Sequence, residues 1–81
     1  MNPIQRVRWA NEAAIVLDSL VRARPEHEEL RLIRANVYAG YPASFHKEDS
    51  VRKDVAILLG SADASMAEAA RRIRQRLPPS R

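Results

Sequence analysis

The sequence predicts a small all-α protein of four antiparallel helices. Apolar residues recur at intervals of three and four in four separate segments, which is the periodicity of helices with one buried face. Proline, glycine or capping residues bound each segment, and no segment alternates apolar and polar residues as a half-buried strand does. The chain has 81 residues, of which 46% are hydrophobic, and this suits one domain with a small core. Because the connections are short, consecutive helices are expected to lie antiparallel.

The first helix is predicted over residues 3–24. Asn2 is a good helix-capping residue, and Pro3 fits the first helical position, where its missing N–H group would have no partner. Pro25 ends the helix, because the residue before a proline is driven out of the α region. The residues expected to face the core share one side of this helix: Val7, Ala10, Ala13, Ala14, Leu17, Leu20 and Val21.

The second helix is predicted over residues 26–40. Glutamates near its start favour the positive end of the helix dipole. Leu30, Ile33 and Val37 are predicted to form its inner stripe. Gly40 is expected to end the helix in the left-handed conformation, before Tyr41 and Pro42.

The third helix is predicted over residues 48–59, after a loop or short turn that packs through Phe45. Its apolar positions are Val51, Val55, Leu58 and Leu59, and Gly60 follows.

The fourth helix is predicted over residues 65–77 and opens with a capping box formed by Ser65 and Glu68. Its apolar stripe consists of Met66, Ala69, Ala70, Ile73 and Leu77. Residues 78–81 follow two prolines and are predicted to be a flexible tail.

Part of this pattern resembles the tetratricopeptide repeat. In such a repeat the second helix carries a small residue, larger ones four and seven positions later, and a closing proline; the next first helix carries a small residue and then an aromatic. The residues that match these places are Ala13, Leu17, Leu20, Pro25, Ala35 and Tyr38. The resemblance covers roughly residues 10–60 and implies one and a half helical hairpins that bind other polypeptides.

The chain departs from the repeat at several positions. Arg31 and Arg34 stand where the repeat has a tryptophan-like residue and a leucine, Val51 is bulkier than the usual alanine, and the loop at Pro42 is longer. The fold prediction therefore includes both tetratricopeptide-like hairpins and a small helical bundle. In the family, a peptide-binding groove is lined by positions that correspond here to Glu29, Leu32, Asn36 and Ala39.

The first helix has more apolar residues than one buried face requires. Trp9, Val16 and Ala23 recur every seven residues, while Ile4 and Ile15 form a flank. One interpretation is a second packing surface for a dimer mate or a target helix. The other is a helix that lies centrally in its own bundle and is covered on two sides.

A basic cluster in the last helix supports a different hypothesis. Such a cluster binds phosphates in nucleic-acid proteins, although it also occurs on solvated helix faces and suits the negative end of the dipole. The cluster consists of Arg71, Arg72, Arg74 and Arg76. No aromatic residue stands among these arginines to stack on bases.

Catalytic and cofactor chemistry is not predicted. His27 and His46 lack the spacing of metal ligands, and the chain has no cysteine, so thiolate sites and disulfides are excluded. No signal peptide or membrane span is recognised, which predicts a cytoplasmic protein without membrane contact.

The sequence thus predicts a non-catalytic protein–protein interaction module or adaptor. It is expected to self-associate through the first helix, with Trp9, Ile15 and Val16 at the interface and with Glu29, Leu32 and Asn36 as groove residues. The alternatives are a nucleic-acid-associated regulator that uses the C-terminal arginines, and a fragment of a longer repeat protein whose next helix would cover Trp9.

Overall fold

The computed structural model describes residues 2–77 and confirms an all-α fold. Four helices are present in this range: α1 at Pro3–Ala23, α2 at Glu28–Ala39, α3 at Glu48–Leu59 and α4 at Ala64–Arg76. A 3₁₀ turn at Ala43–Phe45 connects α2 to α3. The predicted flexible tail at 78–81 lies outside the described residues. Within those residues, no helix combines the length and the hydropathy that crossing a membrane requires.

The helix starts follow from local capping. Asn2 caps α1 with the predicted proline at the first turn, and its side chain accepts a hydrogen bond from the Gln5 N–H at 2.8 Å. α2 begins at Glu28, two residues later than predicted, because the His27 side chain is its cap. The predicted Ser65 capping box is wrong, since Asp63 caps α4 and accepts from the Ser65 N–H at 2.9 Å.

The ends of α2 and α3 do not use a left-handed glycine. Gly40 follows α2 with φ −87°, and Gly60 follows α3 with φ −90°, so the prediction for Gly40 is wrong. The left-handed residue among those described is His46, with φ 56°, at the end of the 3₁₀ turn.

α2 is the central helix, and α1, α3 and α4 all pack against it; α3 also packs against α4. The buried core joins side chains from all four helices, and aliphatic residues and alanines dominate it. Its members are Ala14, Ala35, Tyr38, Val51, Val55, Leu58, Ala70 and Ile73. The rings of Tyr38, Tyr41 and Phe45 continue it toward the 3₁₀ turn, with successive centroids 5.4 and 5.2 Å apart.

Two predicted core faces are rotated in the structure. On α2, Ile33 is 48% exposed and Leu30 and Val37 are half-buried. The buried positions of α2 are instead Arg31, Arg34, Ala35 and Tyr38. The sequence pattern failed here because it counted arginines as surface residues, whereas both are paired with a buried carboxylate.

On α1, Val7 and Leu20 are 48% and 43% exposed, although both were predicted to face the core. Ala14 and Val21 are the buried residues of this helix. α1 makes its principal contacts with α2, so its broad apolar surface is covered along one side. Among residues 2–77, the exposure of Trp9 and Val16 therefore contradicts the interpretation that α1 is covered on two sides.

Candidate protein interaction surface

The outer side of α1 carries a continuous apolar stripe. Trp9, Val16 and Leu20 are 60%, 56% and 43% exposed, while Ala23 is exposed and Ala13 is half-buried. We call these five residues the α1 stripe. Their spacings alternate between four and three, which is the spacing of the two apolar positions in a heptad repeat and of the seam between two paired helices.

Two tyrosines from α2 and its C-terminal connection fix the rotation of α1. The Tyr41 hydroxyl donates to the carbonyl oxygen of Ala10 at 2.8 Å. The Tyr38 hydroxyl lies 2.9 Å from the carbonyl oxygen of Ala14. At about 100° per residue, Ala10 and Ala14 lie roughly a third of a turn from the centre of the α1 stripe. The contacts that hold α1 in place therefore leave the stripe outside the core.

A buried ionic cluster lies beneath this attachment. Asp54 of α3 is fully buried. Its Oδ2 accepts from Arg34 Nε at 2.8 Å, and its Oδ1 accepts from Arg34 Nη2 at 2.6 Å and from Arg31 Nη1 at 2.9 Å. The hydrogen bond to Asp54 raises the pKa of Arg34 above its ordinary value, against the opposing effect of burial. Asp54 thereby binds α3 to two successive turns of α2.

Asp18 extends the cluster to α1. Its Oδ1 lies 3.2 Å from Arg34 Nη1 and 2.6 Å from the Tyr38 hydroxyl. Burial, and then the hydrogen bond to Asp18, raise the pKa of Tyr38. Among the described residues, no buried side-chain nitrogen or oxygen lacks a hydrogen-bond partner. The cluster therefore joins three helices and directs no buried unpaired group toward a ligand.

The predicted interface residue Ile15 does not belong to the stripe. It is 67% exposed, but by helix geometry it lies about 120° from Trp9 around α1. Ile4, which is 74% exposed, lies on the same side as Ile15. The structure thus brings Trp9 and Val16 together on one face and places Ile15 on another.

An apolar groove adjoins the N-terminal end of the stripe. It has a volume of about 440 Å³ and lies between α1 and the connection that follows α2. Its lining includes the apolar residues Val7, Trp9, Pro42 and Phe45.

The groove positions predicted on α2 are divided between core and surface. Leu32 and Ala39 are half-buried and pack against the core, whereas Glu29 and Asn36 are exposed. The Oδ1 atom of Asn36 accepts from Arg76 Nη2 at 3.2 Å. That amide oxygen is therefore already occupied within the chain.

The C-terminal arginines lie on the exposed side of α4. Arg71 Nη2 and Arg72 Nε are 2.7 and 3.5 Å from the Glu68 carboxylate. The hydrogen bond with Arg71 lowers the pKa of Glu68, so this carboxylate remains ionised and offsets part of the positive charge of the cluster.

The two histidines have local structural surroundings. His27 Nδ1 accepts from the Leu30 N–H at 3.3 Å as the cap of α2, and His46 ends the 3₁₀ turn. In the part of the chain that the structure describes, no group of three or more His, Cys, Asp or Glu residues is arranged to hold a metal ion.

Comparisons with family models, with curated proteins and with solved structures found no match to this chain.

Sequence reasoning missed two parts of this arrangement. The helical periodicity assigns Ala13 and Leu20 to the core, although both fall between the heptad positions of Trp9, Val16 and Ala23 and complete the alternating spacing. The second is Asp54, which shares a helix face with Val51 and Leu58. A charged residue at an apolar position of that kind is a signal of a buried ion pair, because a buried charge requires a partner.

Proposed function

We propose that this chain is a non-catalytic protein–protein interaction module that buries the α1 stripe against another polypeptide, with a second copy of itself as its first partner. The observation that carries the proposal is the exposed heptad pattern from Trp9 to Ala23. Large contiguous apolar surfaces on monomeric proteins mark interaction sites. A cytoplasmic location belongs to the same proposal.

The packing order supports a tetratricopeptide-like organisation as part of this proposal. In repeat proteins each hairpin covers the apolar face of its neighbour, so that a terminal hairpin leaves one face open. Here α4 covers α2 and α3 on one side of the molecule, while the α1 stripe has no comparable cover within residues 2–77. A partner helix would complete the packing.

Sedimentation equilibrium of wild type, Val16→Glu and Ile15→Glu tests the proposal. Wild type is expected to self-associate in the micromolar range. Val16→Glu would bury a charge at the interface and should weaken association at least about tenfold, which is about 1.4 kcal/mol. Ile15→Glu is the matched control, because Ile15 is equally apolar, exposed on the same helix, and outside the stripe.

If Val16→Glu and Ile15→Glu associate with equal affinity, the α1 stripe is not part of the interface. A monomeric wild type at all concentrations would exclude self-association and leave a different protein partner to be sought.

The C-terminal arginines support nucleic-acid association as the alternative function. Their side chains are exposed, but Arg71 and Arg72 share the carboxylate of Glu68. Binding to labelled duplex that weakens steeply between low and moderate salt would favour this alternative, because phosphate contacts release counterions.

A further inference from the structure

We infer that two copies of the chain pair through their α1 stripes in antiparallel orientation, with the two-fold axis passing between residues 14 and 15. This inference rests on the proposed function and names its geometry. In this register Trp9 packs against Leu20 of the second copy, and Ala13 packs against Val16 of the second copy. Arg6, one heptad before Ala13, lies beside Ala23 of the second copy.

Side-chain size favours this register. The antiparallel layers combine a large residue with a medium one at Trp9 and Leu20, and a small residue with a medium one at Ala13 and Val16. A parallel pair in register would place Trp9 against Trp9 and Ala13 against Ala13, so that an overfilled layer would lie next to an underfilled one. Helix interfaces are packed as densely as protein cores, and both overpacking and voids destabilise them.

Charge favours the same orientation. Arg6 occupies the heptad position that precedes Ala13, and a parallel pair would bring the two Arg6 side chains together in the seam. The antiparallel pair separates them by about 26 Å, from 17 residues at 1.5 Å per residue. Antiparallel helices also place the positive end of each dipole beside the negative end of the other.

The flanking residues are consistent with this arrangement. Glu12 and Ser19 border the stripe on one side. In the antiparallel register Glu12 faces Ser19 of the second copy, so the Glu12 carboxylate meets no like charge at this position. In the parallel register Glu12 would face Leu17 of the second copy, and a carboxylate would be desolvated against an apolar side chain.

The fold leaves room for a second α1. The stripe and the α2-facing side of α1 are separated by about a third of a turn, which is wider than the 90° between neighbouring helices in a square bundle. The contacts from Tyr41 to Ala10, Tyr38 to Ala14 and Arg34 to Asp18 fix the register of α1 on α2. In that register Ile33, which is 48% exposed, lies on α2 at about the level of Leu20.

Cysteine cross-linking tests the orientation cleanly, because the chain has no native cysteine. Arg6→Cys and Ala23→Cys are made as separate variants, and one of them carries a tag that changes its mass. Each variant alone, and an equimolar mixture of the two, is treated with a short bismaleimide. The antiparallel pair predicts cross-linked dimer in the mixture, formed between one copy of each variant, at several times the yield of either variant alone. Sedimentation of wild type is measured in parallel.

The outcomes distinguish self-association from the antiparallel orientation. Efficient cross-linking of Ala23→Cys to itself would overturn the antiparallel orientation while leaving self-association intact. A wild-type dimer in which neither the single variants nor the mixture cross-link would overturn the stripe register. A monomeric wild type would overturn self-association, and the antiparallel inference with it.

Discussion

At the scale of residues, Asp54 is a side chain whose loss would leave buried positive charge without its partner. It is fully buried and accepts three hydrogen bonds from Arg31 and Arg34, whose side chains are themselves 8% and 10% exposed. Two arginines and one carboxylate leave an excess positive charge inside the protein, which the half-buried Asp18 offsets through Arg34. Each member of the cluster is therefore stable only while the others are present.

Replacing Asp54 by asparagine should destabilise the fold severely. The shape is nearly conserved, but the two buried guanidinium groups lose the carboxylate they share and only Arg34 keeps an acidic partner, Asp18. Breaking a buried pair costs about 3–5 kcal/mol. A chain of this length has roughly 4–12 kcal/mol of stability in total, so the variant should be marginally folded. Urea unfolding followed by circular dichroism measures the loss.

Asp49→Asn is the control for this prediction, because Asp49 is an exposed carboxylate in the first turn of the same helix. It should cost no more than about 1 kcal/mol through the helix dipole. Similar losses in the two variants would show that the buried pairs contribute no more than an exposed charge.

The sequence contains the residues of this cluster but does not reveal their pairing. Arg31, Arg34 and Asp54 each occupy a place on an apolar helix face, and the tetratricopeptide resemblance treated the two arginines as departures. Their burial depends on the alignment of α2 and α3, which helical periodicity alone does not determine. Pairing of this kind becomes visible only when the helices are in contact.

At the scale of elements, helix existence was predictable and helix rotation was not. The four segments are delimited by Asn2, the prolines and the glycines, whose backbone preferences are local. The face that each helix buries depends on its neighbours. Leu20 and Ile33 satisfy a core pattern in sequence but lie outside, because tyrosine hydroxyls and Arg34 set the orientation of α1 on α2.

The attachment of α1 to α2 should weaken in alkali. Burial and the neighbouring Asp18 raise the pKa of Tyr38, and burial raises that of Tyr41, so both are protonated more tightly in the folded protein than in the unfolded chain. Their contribution to the free energy of unfolding is fully present below about pH 10, which is the ordinary tyrosine pKa, and is lost as the pH rises above that value. The free energy of unfolding should therefore fall above pH 10.

Tyr38→Phe checks this assignment. The variant should lose about 0.5–1.5 kcal/mol at neutral pH with the hydrogen bond, and its stability should fall less steeply above pH 10 than that of wild type. The stability of Tyr38→Phe should still fall somewhat above pH 10, because Tyr41 is present in the variant and its pKa is also raised. If both proteins follow the same curve above pH 10, Tyr38 is not the titrating group.

At the scale of the whole molecule, the fold is asymmetric around α2. α3 and α4 share a core with it, whereas α1 makes its principal contacts with α2 and exposes its stripe. A domain of this size buries only roughly 60% of the surface of its unfolded chain, so a second copy over the stripe would add apolar burial where little is available. Association would then stabilise the fold by mass action.

Pairing through the α1 stripe is tested most simply by the fluorescence of Trp9 across a dilution series, since Trp9 is the single tryptophan of the chain and belongs to the stripe. Trp9 is 60% exposed in one copy and should become buried against Leu20 of the second. If two copies pair through the stripe, the emission maximum moves to longer wavelength on dilution, at the concentration where dimers dissociate. A solvent-exposed emission maximum that stays constant at every concentration would contradict this pairing.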